Sequence, residues 1–141
     1  MPNAQLRRLA QLPLVRGADR RELELFERLS TTIEVAKEQV LCSQGVEGRQ
    51  FFVLLSGRAA VMRDGQLLAV LGPGDWFGEM ALCSPHGRRN ATVTAVTDAS
   101  VLVMDREAFV VFLNTCPVAS ERIAREVEAR RRSSAETVSG P

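Results

Sequence analysis

The sequence predicts a mainly β domain with flanking helices, its strands closed into a β-barrel or double-stranded β-helix jelly roll. Three observations predict it. Residues 33–104 are cut into short apolar runs by Gly45, Gly48, Gly57, Gly72, Gly74 and Gly78, and many short strands at close spacing favour a barrel or jelly roll over a parallel sheet. Asp64-Gly65, between "AAVMR" and "QLLAV", reads as a hairpin, because that turn needs positive φ. Helical periodicity appears only on either side of this block.

The elements follow in order. "QLRRLAQL" is a short amphipathic turn or two, broken by Pro13. Asp19 followed three residues later by Glu22 is a capping-box pattern, and Leu23, Phe26 and Leu29 share one face of the helix it opens. The strand block holds "TIEVAKEQVL", "QFFVLLSG", "RAAVMRDGQLLAVL" and "ATVTAVTDASVLVM". Phe51, Phe52 and Leu54 are expected in the core, and Trp76 and Phe77 as core or barrel-rim packing. Asp105 can cap "REAFVVFLNTC", although Val110-Val111 lowers its helix propensity. Pro117 suits the first turn of a second helix, "PVASERIAREVEARRR", with Val118, Ile123 and Val127 as a thin apolar stripe. The expected boundaries are helices over about 3–30, a barrel over about 31–104, two helices over about 105–132, and an irregular tail over 133–141.

Composition narrows the function classes. The chain has 141 residues, 45% hydrophobic and 25% charged, which fits one globular domain. A net charge of +1 is too small for electrostatic capture of nucleic acid. No apolar run approaches the roughly 20 residues of a membrane span, and the N-terminus has no continuous apolar stretch of a secretory signal. Cys42, Cys83 and Cys116 form no CxxC pair, so they read as small apolar packers in a reducing, cytoplasmic setting. His86 is the single histidine and is expected to be solvated in a turn. That count argues against a metal-dependent barrel enzyme, which needs several imidazole ligands. The sequence offers no Ser-His or Cys-His arrangement and no phosphate-binding P-loop, so no enzyme and no cofactor are expected.

One segment resists a purely structural account. "DWFGEMALCSPHGRRNATVTAV", residues 75–96, places an isolated carboxylate, Glu79, among apolar residues and an Arg88-Arg89 pair just before a strand. Together with "GVEGRQFFVLLSGRAAV", "LAVLGPGDWFGEMAL" and "RRNATVTAVTDASVLVMDREAF", it resembles the cyclic nucleotide-binding domain family over roughly residues 12–132. The phrase F-G-E-M-A-L followed some ten residues later by R-x-A-T-V is the specific part of that likeness. The chemistry agrees with it. A cyclic nucleotide presents one phosphate anion, a ribose hydroxyl and a flat base. Free backbone N–H groups at Glu79, Met80, Ala81 and Leu82 would face the phosphate if a short helix starts there. Gly78 lets a ligand approach the backbone closely, and an arginine supplies a planar fork of donors. Glu79 would accept from the ribose hydroxyl and could brace the arginine, the roles the resemblance implies.

Two residues compete for the phosphate. Counting back from "ATV" selects Arg89, and counting forward from "FGEMAL" selects Arg88. Strand register is the firmer anchor, since a one-residue slip flips every side chain, whereas loop length is tolerant; Arg89 is therefore expected, with Arg88 a solvated neighbour. The N–H groups of Asn90 and Ala91 can face the phosphate as well. Where relatives commonly carry a small residue or a hydroxyl, this chain has Asn90, which leaves the base preference open; cAMP is expected on family base rates, with cGMP the alternative. The resemblance implies a residue of the last helix covering the base, and Arg125 and Arg130 both qualify. It also implies a sensor whose two C-terminal helices act as a lid. With no room for a DNA-binding, kinase or pore module after that lid, output is expected to pass to a protein partner, through a homodimer, or, if this is an excised regulatory domain, to a missing effector module, with no membrane and no nucleic acid engaged by this chain. The rival expectation is a degenerate, non-binding domain used as a protein-interaction scaffold.

Overall fold

The computed structural model describes residues 4–83 and 88–139, with the side chains at 83, 131 and 133–139 outside that description. The expectations for His86 and for the Cys83 side chain therefore lie outside the described residues.

Two helices come first, α1 (Ala4–Ala10) and α2 (Arg20–Leu29), joined through a single 3-10 turn at Pro13–Val15. The capping box that opens α2 forms in full. The Asp19 side chain accepts from the Glu22 N–H, and the Glu22 carboxylate accepts from the Asp19 N–H. Eight strands follow: β1 (Thr31–Val35), β2 (Val40–Cys42), β3 (Gln50–Ser56), β4 (Ala59–Arg63), β5 (Gln66–Leu71), β6 (Trp76–Phe77), β7 (Thr92–Ala95) and β8 (Ala99–Asp105). A short helix, α3 (Glu79–Cys83), interrupts them between β6 and β7. The chain closes with α4 (Arg106–Thr115) and α5 (Pro117–Ser139).

The strands form two antiparallel four-stranded sheets, one ordered β1-β8-β3-β6 and the other β2-β7-β4-β5. This is the mainly β jelly roll with flanking helices that the sequence predicts. Between the sheets, Phe52, Leu54, Phe77, Val93, Val101 and Val103 fill the barrel. A second core lies between the outer face of the first sheet and the helices. There Phe51, Val53 and Met104 meet Phe26, Phe109, Phe112 and Ile123. Strand β3 thus buries both faces, which explains why its sequence is a continuous apolar run rather than an alternating one.

The hairpin turn stands where expected, with Asp64 at φ +52° and Gly65 at φ +79° between β4 and β5. Asp105 caps α4 by accepting from the Ala108 N–H. Pro117 is the first residue of α5, and Ile123 and Val127 are buried on its inner face with Val118 packed beside them. One boundary differs. The backbone of α5 continues to Ser139, where the sequence reading ended the helix at 132 and assigned 133–141 to an irregular tail. Nothing between Arg132 and Ser139 breaks a helix, and the first residue that does is Gly140. Among the described residues, no helix is long and apolar enough to cross a membrane.

Candidate functional site

A cavity of about 220 Å³ opens at one end of the barrel, between the β4–β5 hairpin, the start of α3, the start of β7 and the far half of α5. Its chemistry centres on Arg89, which is only 9% exposed. Its Nη1 donates to the carbonyl oxygen of Gly78 at 2.8 Å and its Nη2 to that of Gln50 at 2.6 Å. The guanidinium also lies over the Phe52 ring, 5.7 Å from its centroid. Two glycines make room for it. A Cβ on Gly48 would stand 2.5 Å from Arg89 Nε, and one on Gly78 would stand 2.8 Å from Nη1, with Gly78 also at φ +95°. Gly78 therefore serves the arginine's close passage as well as the open approach expected for a ligand. The Arg89 backbone is pinned too, its N–H donating to Val46 O and its carbonyl accepting from the Gly45 N–H.

Arg88 points elsewhere. It is exposed, bridges to Glu47 in the backbone, and donates from Nη1 to the Gly45 carbonyl at 2.8 Å. Strand register thus turns Arg89 inward and leaves Arg88 at the surface.

Glu79 opens α3 and is wholly buried. Its Oε1 lies 2.6 Å from Nη1 of Arg130, an ion pair outside hydrogen-bond alignment, and Oε2 has no hydrogen-bond donor among the described residues. Burial pushes its carboxyl above the ordinary glutamate range, and the Arg130 guanidinium pulls back against that shift. Glu79 does not itself line the cavity, since Arg130 lies over it and supplies the lining instead. Arg130 also pairs with Glu126 at 2.8 Å, one turn back on α5. Arg125, the other candidate of the last helix, is exposed and pairs with Glu121. The structure therefore brings Arg130, and not Arg125, to the cavity.

Of the remaining candidates, Gly78, Met80, Asn90 and Ala91 line the cavity. Ala81 and Leu82 do not, because their side chains turn inward and hold α3 to the core. The sequence reading missed the opposite wall. Val61 and Arg63 from β4, and Leu68, Ala69 and Leu71 from β5, line it together with Cys42 and Val93. The alternation of Val61 and Arg63 on one face of β4 was the available signal, but Arg63 beside the Asp64-Gly65 turn looks like an ordinary turn charge. Cys42 is buried beside this wall, and its thiol is pushed up to about 11, chiefly by burial, so it is neutral near pH 7.

Known proteins show the family to which this fold belongs. The sequence profile of the cyclic nucleotide-binding domain matches residues 32–116, from the first strand to the end of the first C-terminal helix. The chain belongs to the cyclic nucleotide-binding domain family. It is 26% identical over 129 residues to a CRP-like cAMP-activated global transcriptional regulator of Mycobacterium tuberculosis, covering 88% of this chain and 57% of that protein. It is 34% identical over 94 residues to the cyclic AMP receptor protein of Thermus thermophilus, covering 63% of this chain and 43% of the relative. Among solved structures, the cAMP-bound PfPKA-R superposes with a TM-score of 0.83 at 25% identity, over 94% of this chain and 45% of its own. The Thermus thermophilus catabolite activator protein gives 0.77 at 28% identity, over 89% and 61%. This chain spans about half the length of the curated relatives it matches. The family resemblance and the jelly-roll class expected from the sequence both hold.

Proposed function

We propose that this domain is a sensor that binds a 3′,5′-cyclic nucleotide in the barrel-mouth cavity and reports it through α5. The observation that carries the reading is a pairing of needs. Among the described residues, Arg89 presents a buried guanidinium at the cavity wall whose hydrogen bonds go to backbone carbonyls, and Glu79 holds a buried carboxylate oxygen without a donor. A buried acceptor left unpaired costs about 1–3 kcal/mol. Once Arg130 moves off Glu79, a ribose hydroxyl would satisfy Glu79 Oε2 while the cyclic phosphate meets Arg89. Backbone N–H groups at the start of α3 and at Asn90 and Ala91 complete the phosphate's donors. The apolar wall of Val61, Ala69 and Leu71 suits the flat face of a base. The names of the relatives weigh toward cAMP as the ligand.

Arg130 links this event to α5. It lines the cavity and grips Glu79, so a ligand that engages Glu79 alters the grip of the last helix on the barrel. At its other end α5 is tied by Arg122, whose Nη1 donates to the carbonyls of Pro13 and Leu14 at 2.6 and 3.1 Å. Binding would thus shift the balance between two settings of α5 through differential contacts at Glu79. The output would pass to a protein partner, to a second copy, or to a further module.

Isothermal titration with cAMP and cGMP tests the reading. One-to-one binding that is lost in Arg89→Ala and retained in Arg88→Ala supports it. A folded wild-type chain that binds neither nucleotide overturns it in favour of a non-binding scaffold.

A further inference from the structure

We infer that Arg63 is a specificity-determining residue of this cavity, one that reads the edge of the base and adds affinity for guanine, which offers two acceptors there, so that cGMP binds beside the cAMP toward which the relatives' names weigh. This role rests on the nucleotide reading above and concerns the same site.

Arg63 is the last residue of β4 and lines the cavity together with Val61, two residues before it on the same face. The β4–β7 ladder pairs Val61 with Val93 and ends at Met62 with Thr92, so Arg63 follows directly on its last pair, as Ala91 does on the other strand. Arg89 turns its fork the other way, toward Gly78 and Gln50. Arg63, Arg89, Asn90 and Ala91 all line the same cavity. On the Arg63 side the neighbouring wall is apolar, built by Val61, Ala69, Leu71 and Val93. Such a wall fits the face of a base and not a phosphate.

The charge count agrees. A cyclic monophosphate carries a single negative charge, and Arg89 suffices for it. Arg130 is occupied by Glu79 and Glu126. Arg63 makes no ion pair or side-chain hydrogen bond among the described residues. Among the cavity's arginines it is the one with no acceptor assigned, and the neighbouring Asn90 amide carries no charge.

Its place is also held firmly. The Gln44 side chain clasps the hairpin tip, Nε2 donating to Asp64 Oδ1 at 2.8 Å and Oε1 accepting from the Asp64 N–H at 3.0 Å. The Gln44 N–H in turn donates to Thr92 Oγ1 at 3.0 Å. The residue before Asp64 is thereby fixed relative to β7.

The selectivity follows from what a guanidinium is. It donates and never accepts. The O6 and N7 atoms of guanine accept side by side and match its fork, whereas adenine sets an N6 donor beside N7. Against adenine, one arm of the fork would meet a donor.

Isothermal titration of the whole chain with cAMP, cGMP and cyclic IMP, which keeps O6 and N7 but lacks the 2-amino group, tests this on wild type, Arg63→Ala and Arg63→Lys. Arg63→Ala is expected to weaken cGMP and cyclic IMP by about five-fold or more, leaving cAMP unchanged. Arg63→Lys, which keeps the charge and its donors but loses the planar fork, is expected to fall between wild type and Arg63→Ala for cGMP and cyclic IMP. Thermal unfolding checks that both variants are folded, as an exposed position without protein partners allows. An equal loss for all three nucleotides would put Arg63 on the phosphate and overturn the proposal, as would no loss at all. Wild type binding none of the three would remove the nucleotide reading itself, while cAMP binding with selectivity indifferent to Arg63 removes only this one.

Discussion

The sheet that contains β3 and the sheet that contains β4 have the same number of strands, yet they use their residues differently. In the first, β3 and β8 are covered on both faces, by the helices outside and by the opposite sheet inside. In the second, β5 is an edge strand with Leu67, Leu68 and Val70 exposed, and part of the inner face is left open as the cavity wall. A strand buried on both sides gains from every apolar side chain and leaves little room for a polar one. A strand at an open barrel mouth can hold Arg63, and its neighbours can hold Arg89 and Glu79. The difference separates stability from ligand chemistry within one small barrel.

Substitutions that strike one sheet and spare the other would sharpen or break that separation. The largest effect is expected from Phe109→Ala. Its ring packs 4.6 Å from that of Phe51 in the core between helices and sheet. Chemical denaturation should show a loss of about 3–5 kcal/mol, with nucleotide affinity unchanged wherever the variant is folded. A variant that keeps its stability would mean that the outer face of β3 is not where the fold is held.

Arg89→Ala comes next and should act mainly at the cavity. Loss of a charge-assisted contact to phosphate is expected to cost about 1.5–3 kcal/mol in titration. The same variant leaves the Gly78 and Gln50 carbonyls short of their donor, so a smaller loss of stability should accompany it. A variant that is destabilised but binds normally would make Arg89 a structural residue.

Glu79→Gln should change how stability depends on pH. Because burial raises the Glu79 carboxyl above its unfolded value, the folded state holds the proton over a window in which the unfolded state has released it. Glu79 therefore makes stability fall as pH rises from the ordinary glutamate value through the raised one. Chemical denaturation across that window should give a flatter profile for Glu79→Gln than for wild type, and a steeper one for Arg130→Ala, which removes the opposing guanidinium. Identical profiles in all three would show that the carboxylate is not held under strain. The smallest effect is expected from Val70→Thr on the exposed edge strand, within about 0.5 kcal/mol in the same assay.

Much of this molecule was legible before any coordinates. The Asp19 and Asp105 caps, the Asp64-Gly65 turn, the Pro117 start and the covered apolar run of β3 are local signals, and local signals survive folding when packing does not oppose them. The inward turn of Arg89 and the outward turn of Arg88 were readable as well, because register in a half-buried strand leaves only one side for each residue. The end of α5 was misjudged because "SSAET" looks like tail composition, although it holds nothing that stops a helix already under way.

The sequence by itself determined the sheet class, the helix starts and the presence of an acid and an arginine with no structural reason to be where they are. Only the tertiary structure decided that Arg130 rather than Arg125 reaches Glu79, and that Arg63 enters the cavity wall. Those outcomes depend on which way a long side chain faces across elements far apart in the chain. No local pattern encodes that, because it is settled by what the other elements leave empty.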